Sequence, residues 1–173
     1  MARPYPVAAS DFEETRKRTE DHFRFLAEAS VALGEITDVD STLGRIAKLA
    51  VPYFCDWCEV TVREPGGKAR SVTVQHGDPG MVKHAKAMLD RFPRGEHDVA
   101  ERVLGSGEPS WAAEVTDALL EEAARTPEHL GMLRAMGVPS YICVAMRSKG
   151  RILGALTFAP AESGRTYTGL DLQ

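Results

Sequence analysis

Hydrophobic spacing along this chain switches between two periods, and each switch marks an element. Over residues 11–36 the apolar or small positions Phe12, Thr19, Leu26 and Leu33 recur every seven residues, with a second row at Thr15, His22, Ala29 and Ile36. Such spacing puts both rows on one side of a helix that Ser10 or Asp11 is placed to cap. Many members of these rows are polar, so the pattern suits both a helix packed on its own domain and a pairing helix.

Gly34 and the 37–40 cluster break this helix, and Asp40 or Ser41 then caps a second one with Leu43, Ile46, Ala47, Ala50 and Phe54 on one face. Pro52 is expected to kink or end it. From 57 to 64 the period becomes two, with Cys58, Val60 and Val62 opposed to Glu59, Thr61 and Arg63. A turn at Pro65-Gly66-Gly67 leads into a second alternating run over 69–76, where Val72 and Val74 oppose Ser71, Thr73 and Gln75. The two runs predict a hairpin.

Helical spacing returns after Asp78-Pro79, a cap followed by proline at the first helical position, with Val82, Ala85, Met88, Leu89 and Phe92 as its apolar stripe. Asp98 to Glu101 has the form of a capping box, and Gly105 and Gly107 close the short helix it opens. A short strand over 110–113 follows, then two helices capped by Thr116 and Thr126. Residues 141–147 and 151–159, joined by Ser148-Lys149-Gly150, predict a second antiparallel hairpin. Thr168 to Asp171 is a further capping box with two residues after it, so the helix it opens is expected to be truncated and the natural protein to continue.

Composition narrows the class. A length of 173 residues with 43% hydrophobic content supports one core without disulfides or metals. The 21 basic and 25 acidic side chains, with a net charge of −4, lack the basic excess of a nucleic-acid binder. Three cysteines suit a reducing compartment better than a disulfide framework, which points to the cytoplasm. Residues 1–10 hold no apolar signal core and are expected to form a disordered leader, with one domain over 11–173. No run approaches the ~20 apolar residues of a membrane span, so no direct membrane contact is expected.

The segment 43–58, ending Val51-Pro52-Tyr53-Phe54-Cys55-Asp56-Trp57-Cys58, resembles the entry to the first strand of a GAF domain. The segments 136–144 and 150–157 resemble its last two strands, and His76-Gly77-Asp78-Pro79 and 103–109 resemble features between them. The likeness spans roughly 23–173 and is closest to the GAF domains of bacterial sensor histidine kinases. One departure is Ala145-Met146, where relatives commonly carry proline and leucine. The resemblance implies an α+β fold with an antiparallel sheet in the order 2-1-5-4-3. Terminal helices would cover one face, and a helical excursion with a ligand cavity beneath it the other. It also implies homodimers formed through terminal helices, with 11–36 as the signalling helix.

Each candidate for chemistry also has a structural role open to it. Cys55 and Cys58 have C-x-x-C spacing but follow a helix and enter a strand, unlike redox pairs at a helix N-terminus. Zinc would need two more ligands, and only His76 and Cys143 offer themselves, so no metal and no cofactor are expected. No catalytic motif occurs, and the domain is read as non-enzymatic. The sheet face carrying Thr61, Thr73, Gln75, Tyr141, Cys143 and Thr157, with His76 at its end and Trp111 in its wall, is the expected binding surface for a small molecule. The expected function is a regulatory input domain of a signalling protein such as a histidine kinase. The rivals are a dimerisation spacer and, behind it, a cysteine-dependent methionine sulfoxide reductase.

Overall fold

The fold is described by a computed structural model covering residues 9–34, 38–64, 66–95 and 97–172. Helix α1 (Ala9–Gly34) and helix α2 (Val39–Tyr53) precede a hairpin of β1 (Trp57–Arg63) and β2 (Ala69–His76). A helical excursion follows: α3 (Pro79–Arg91), α4 (Val99–Ser106), the short strand β3 (Ser110–Ala112), α5 (Asp117–Ala123) and α6 (Pro127–Ala135). Strands β4 (Tyr141–Ser148) and β5 (Arg151–Ala159) form the second hairpin, and a single 3-10 turn (Gly169–Leu172) ends the described chain. The five strands make one antiparallel sheet in the order β2-β1-β5-β4-β3, the order that the family resemblance implies.

Local chemistry explains most boundaries. Asp38 caps α2, accepting from Ser41 N at 2.8 Å, two residues before the position expected. Its carboxylate reaches a helix amide that Asp40 and Ser41, already inside the first turn, are placed to donate rather than to cap. Val51 leaves helical geometry at φ −80° and ψ 115°, because the Pro52 ring excludes the α region for the residue before it. Asp78, Asp98, Thr116 and Thr126 each accept a bond from an amide of the first turn, so all four caps of the excursion stand where the sequence placed them. Helix α1 starts at Ala9, ahead of the Ser10 and Asp11 caps, since Ala9 and Ser10 are both helical here. Expectations about residues 1–8 lie outside the described residues.

The sheet divides two cores. On one face Ala47 and Ala50 of α2 meet Cys55, Cys58 and Val60, with Phe25 of α1, Val72, Leu156 and Phe158 packed around them. On the other, Ala100, Val103 and Leu104 of α4 pack on Cys143 and Ala155. Beside them, Trp57, Val74 and Ala159 pack on Ala85 of α3.

One strand is oriented against expectation. Cys58 pairs with Gln75 and Glu59 with Val74, so Thr73 and Gln75 lie on the α1/α2 face and Val74 on the excursion face. Alternating runs of equal length do not fix which residues stand opposite, and a shift of one residue inverts every side chain. A register irregularity between Val60 and Thr61 then returns Ser71 to the excursion face opposite Thr61, leaving Val72 with the α2 core. Trp111 is also displaced from the expected wall. It pairs with Ile142, whose partner on the next strand is Phe158, which puts it on the α1/α2 face. A Cβ at Gly169 would lie 3.8 Å from its ring.

Candidate functional site

Between the sheet and the excursion lies a cavity of about 330 Å³. Its floor is formed by Trp57, Glu59, Val74, Thr157 and Ala159, and its roof by residues of α3, α5 and α6, including Met88, Leu89, Leu120 and Leu133. The size and the apolar walls suit a small organic ligand. A charged cluster is part of its lining. Glu59 projects from β1, an interior strand, and pairs with Arg94, which follows the proline that ends α3. Arg94 also donates from Nη1 to both carboxylate oxygens of Asp98 at 2.7 Å.

Asp98 serves two purposes, since its Oδ1 also accepts from Glu101 N at 3.1 Å and caps α4. Thus the start of α4, the loop before it and strand β1 are tied together by one guanidinium. The Arg94 side chain is 9% exposed, Glu59 20% and Asp98 24%. Burial pushes the Glu59 carboxyl above its ordinary value, against the opposing pull of Arg94 and of the Ser71 hydroxyl that donates to it. Burial also disfavours the charge on Arg94, but Glu59 and Asp98 outweigh it and hold the guanidinium charged. His129 stacks on Phe92 with ring centroids 4.6 Å apart. Its pKa is lowered by burial and by Arg125.

Of the residues the sequence nominated, Tyr141 and Thr157 line this cavity. Cys143 lies on the same face but is sealed beneath α4, where Thr157 Oγ1 donates to its sulfur at 3.2 Å. Thr61, also on this face, is fully buried, and its hydroxyl has no partner among the described residues. His76 is used by the turn into α3: Nδ1 accepts from Asp78 N at 2.9 Å and Nε2 meets Glu162 at 3.1 Å. Thr73, Gln75 and Trp111 face the other side of the sheet, as the strand register requires.

Arg94 and Asp98 were missed as site residues because their partner is distant in sequence. The available signal was Glu59, a carboxylate in the middle of an apolar strand, where an ionised group needs a counter-charge. The Cys55 and Cys143 thiols are held protonated. Burial raises Cys143 to about 11, and Cys55 is raised by its hydrogen bond to Cys58 and by burial. No group of three or more His, Cys, Asp or Glu among the described residues is arranged to hold a metal ion.

The family pattern of the GAF domain matches residues 24–173. The chain belongs to the GAF family. Solved structures agree on the fold of this GAF domain. The A. aeolicus GAF domain captured in an inactive state has a TM-score of 0.59 at 10% identity, over 90% of this chain and 85% of that one. The GAF domain of a phosphoenolpyruvate-protein phosphotransferase from Coxiella burnetii has 0.60 at 15%, over 87% and 83%. A free methionine-R-sulfoxide reductase from Neisseria meningitidis, in complex with its substrate, has 0.54 at 16%, over 92% and 80%. No curated protein matches the chain. Among the described residues, no helix of this GAF domain is long and apolar enough to cross a membrane.

Proposed function

We propose that this GAF domain is a cytoplasmic input module that binds a small molecule in the cavity and relays its presence through α1 to an output domain, such as that of a histidine kinase. The observation that carries the reading is the cavity of about 330 Å³ with the nearly buried Glu59–Arg94–Asp98 cluster in its lining. Burying three charges is costly, and apolar residues of similar size often stabilise a fold as well or better. A cluster placed beside an open volume is better accounted for by recognition.

The route to α1 runs through the sheet. Glu59 is flanked by Cys58 and Val60, which pack on Ala47 and Ala50 of α2. Phe54, just past α2, in turn holds α1 by stacking on His22 at 4.6 Å and by edge contact with Phe25 at 4.6 Å. A ligand moves α1 only by binding one arrangement of these elements better than another. The test is a thermal-shift screen of metabolite pools, followed by amide hydrogen exchange on each hit. The reading expects a hit that raises Tm and alters exchange in 9–34. Pools that leave Tm unmoved, or hits that leave α1 unchanged, would end it.

The spacer reading has its own support. Phe23, Leu26 and Val31 of α1 are 68%, 57% and 63% exposed, an apolar surface that a second copy of the helix would cover. Dimerisation through α1 is compatible with either function. The reductase reading is weakened because all three thiols are buried and those of Cys55 and Cys143 are held in the protonated, unreactive form.

A further inference from the structure

The hydrogen bonds within the charged cluster are unevenly distributed. Glu59 Oε1 accepts from Ser71 Oγ at 2.8 Å and also from Arg94, whereas Oε2 accepts from no described residue. Both Asp98 oxygens are engaged, Oδ1 by Arg94 and Glu101 N and Oδ2 by Arg94. A carboxylate offers about four acceptor positions, so Glu59 retains unused capacity in the cavity lining, which also holds one donor unmet among the described residues, the buried Nε1–H of Trp57.

Charge points the same way. Glu59, Arg94 and Asp98 together carry one net negative charge, and the guanidinium is already paired with two carboxylates. An entering carboxylate or phosphate would have to displace one of them and would leave it unpaired in a poorly solvated place, a costly exchange. An entering N–H donor meets a free acceptor and, if cationic, completes a two-against-two cluster. The remaining charged residues of the lining, Arg102, Glu122 and Arg125, are exposed to water, which screens them. His129, its pKa lowered by burial and Arg125, adds no positive charge at neutral pH.

We propose that the cavity takes a small amphipathic organic cation, an aryl or alkyl amine or amidine, whose N–H group is accepted by Glu59 Oε2 while its apolar part lies against Met88, Leu89, Phe92 and Leu133. This rests on the reading of the cavity as the ligand site. Leu133 and Met88 approach from α6 and α3, so the same molecule bridges the sheet and the excursion.

Three matched probes test the class on the full chain by calorimetric titration: phenethylamine, phenylpropionate and phenethyl alcohol. The amine is expected to bind at least tenfold tighter than either the acid or the alcohol, and Glu59→Gln to weaken the amine at least tenfold. Equal or tighter binding of the acid or the alcohol would overturn the proposal, as would no amine binding or an amine affinity unchanged in E59Q. Should E59Q fail to fold, the contrast among the three probes on the native chain decides. The outcomes separate from those for the input role. Acid or alcohol binding that alters hydrogen exchange in α1 defeats the cation and keeps the input, whereas amine binding without any change in α1 keeps the cation and defeats the input.

Discussion

Arg94 is the residue on which the cavity's electrostatics turn, because it is the shared partner of two carboxylates that come from different elements. Replacing it with Met leaves Glu59 and Asp98 facing each other without compensation, and the expected loss at neutral pH is about 3–5 kcal/mol in urea unfolding. Without the guanidinium, the Glu59 carboxyl, already raised by burial, rises further. A carboxyl raised in the folded state favours folding below its unfolded pKa and loses that contribution as pH rises through the folded value. The deficit of Arg94→Met should therefore shrink on acidification. Asp56 shows the opposite sign. Burial opposes its charge, yet bonds from Ser163 and Ala161 and the nearby His76 hold its carboxyl below the usual value. Its contribution is present above the unfolded pKa and lost as pH falls through the folded one, so Asp56→Asn should cost about 2 kcal/mol at neutral pH and nothing in strong acid. Chemical denaturation across the acid range checks both slopes. Gly154 carries a steric prediction: an added Cβ would collide with the carbonyl oxygen of Thr61 and with Met146 Cε. Gly154→Ala should lose about 1–3 kcal/mol, read as a lower urea midpoint at unchanged slope.

At the scale of elements, α1 joins two kinds of surface on one helix. Phe25 and Ala29 turn inward onto the α2 side, while Phe23 and Leu26 remain in water. Residues 19, 23, 26, 30 and 33 follow a four-three alternation, the seam a parallel partner would read. Charging that seam with Phe23→Glu and Leu26→Glu is expected to convert a dimer to a monomer in analytical ultracentrifugation. Tm at low concentration should stay nearly unchanged, because neither side chain contributes to the domain's own core. A native chain that sediments as a monomer at every concentration would remove the pairing role of this face. The elements themselves were largely legible in the sequence, since caps such as Asp78, Asp98, Thr116 and Thr126 and the proline effect at Val51 act within four residues. Register was not legible: which face holds Thr73 depends on its pairing with Val60, and nothing in an isolated alternation of valines and threonines specifies that choice. The site followed the same division. Tyr141 and Thr157 could be placed from strand parity alone, but Arg94 reaches Glu59 across 35 positions, a distance over which periodicity carries no information.

For the whole molecule, the sheet is a thin partition between the cavity and the α1/α2 layer, so under the proposed input role the state of one side is passed to the other through side chains that alternate along the same strands. Glu59 and Thr157 face the cavity, while their strand neighbours Cys58, Val60, Leu156 and Phe158 form the bed for α2 and, through Phe54, for α1. Occupancy then has two separable consequences. Mass action stabilises the fold by about 2.7 kcal/mol at one hundred times the dissociation constant, whatever happens to α1. Relay requires in addition that the occupied and empty arrangements differ in free energy at the helix. Filling the volume with the chain's own atoms separates the two. Ala123, at the end of α5, is half-buried and lines the cavity, so Ala123→Trp should occupy it with the fold intact. Such a variant is expected to show no further rise in Tm with phenethylamine. If volume alone drives the relay, its hydrogen exchange in α1 should match that of the liganded native chain. If the bond to Glu59 drives it, α1 should exchange like the empty native chain although the cavity is full, because an indole wedged between apolar walls leaves Oε2 of Glu59 as it was.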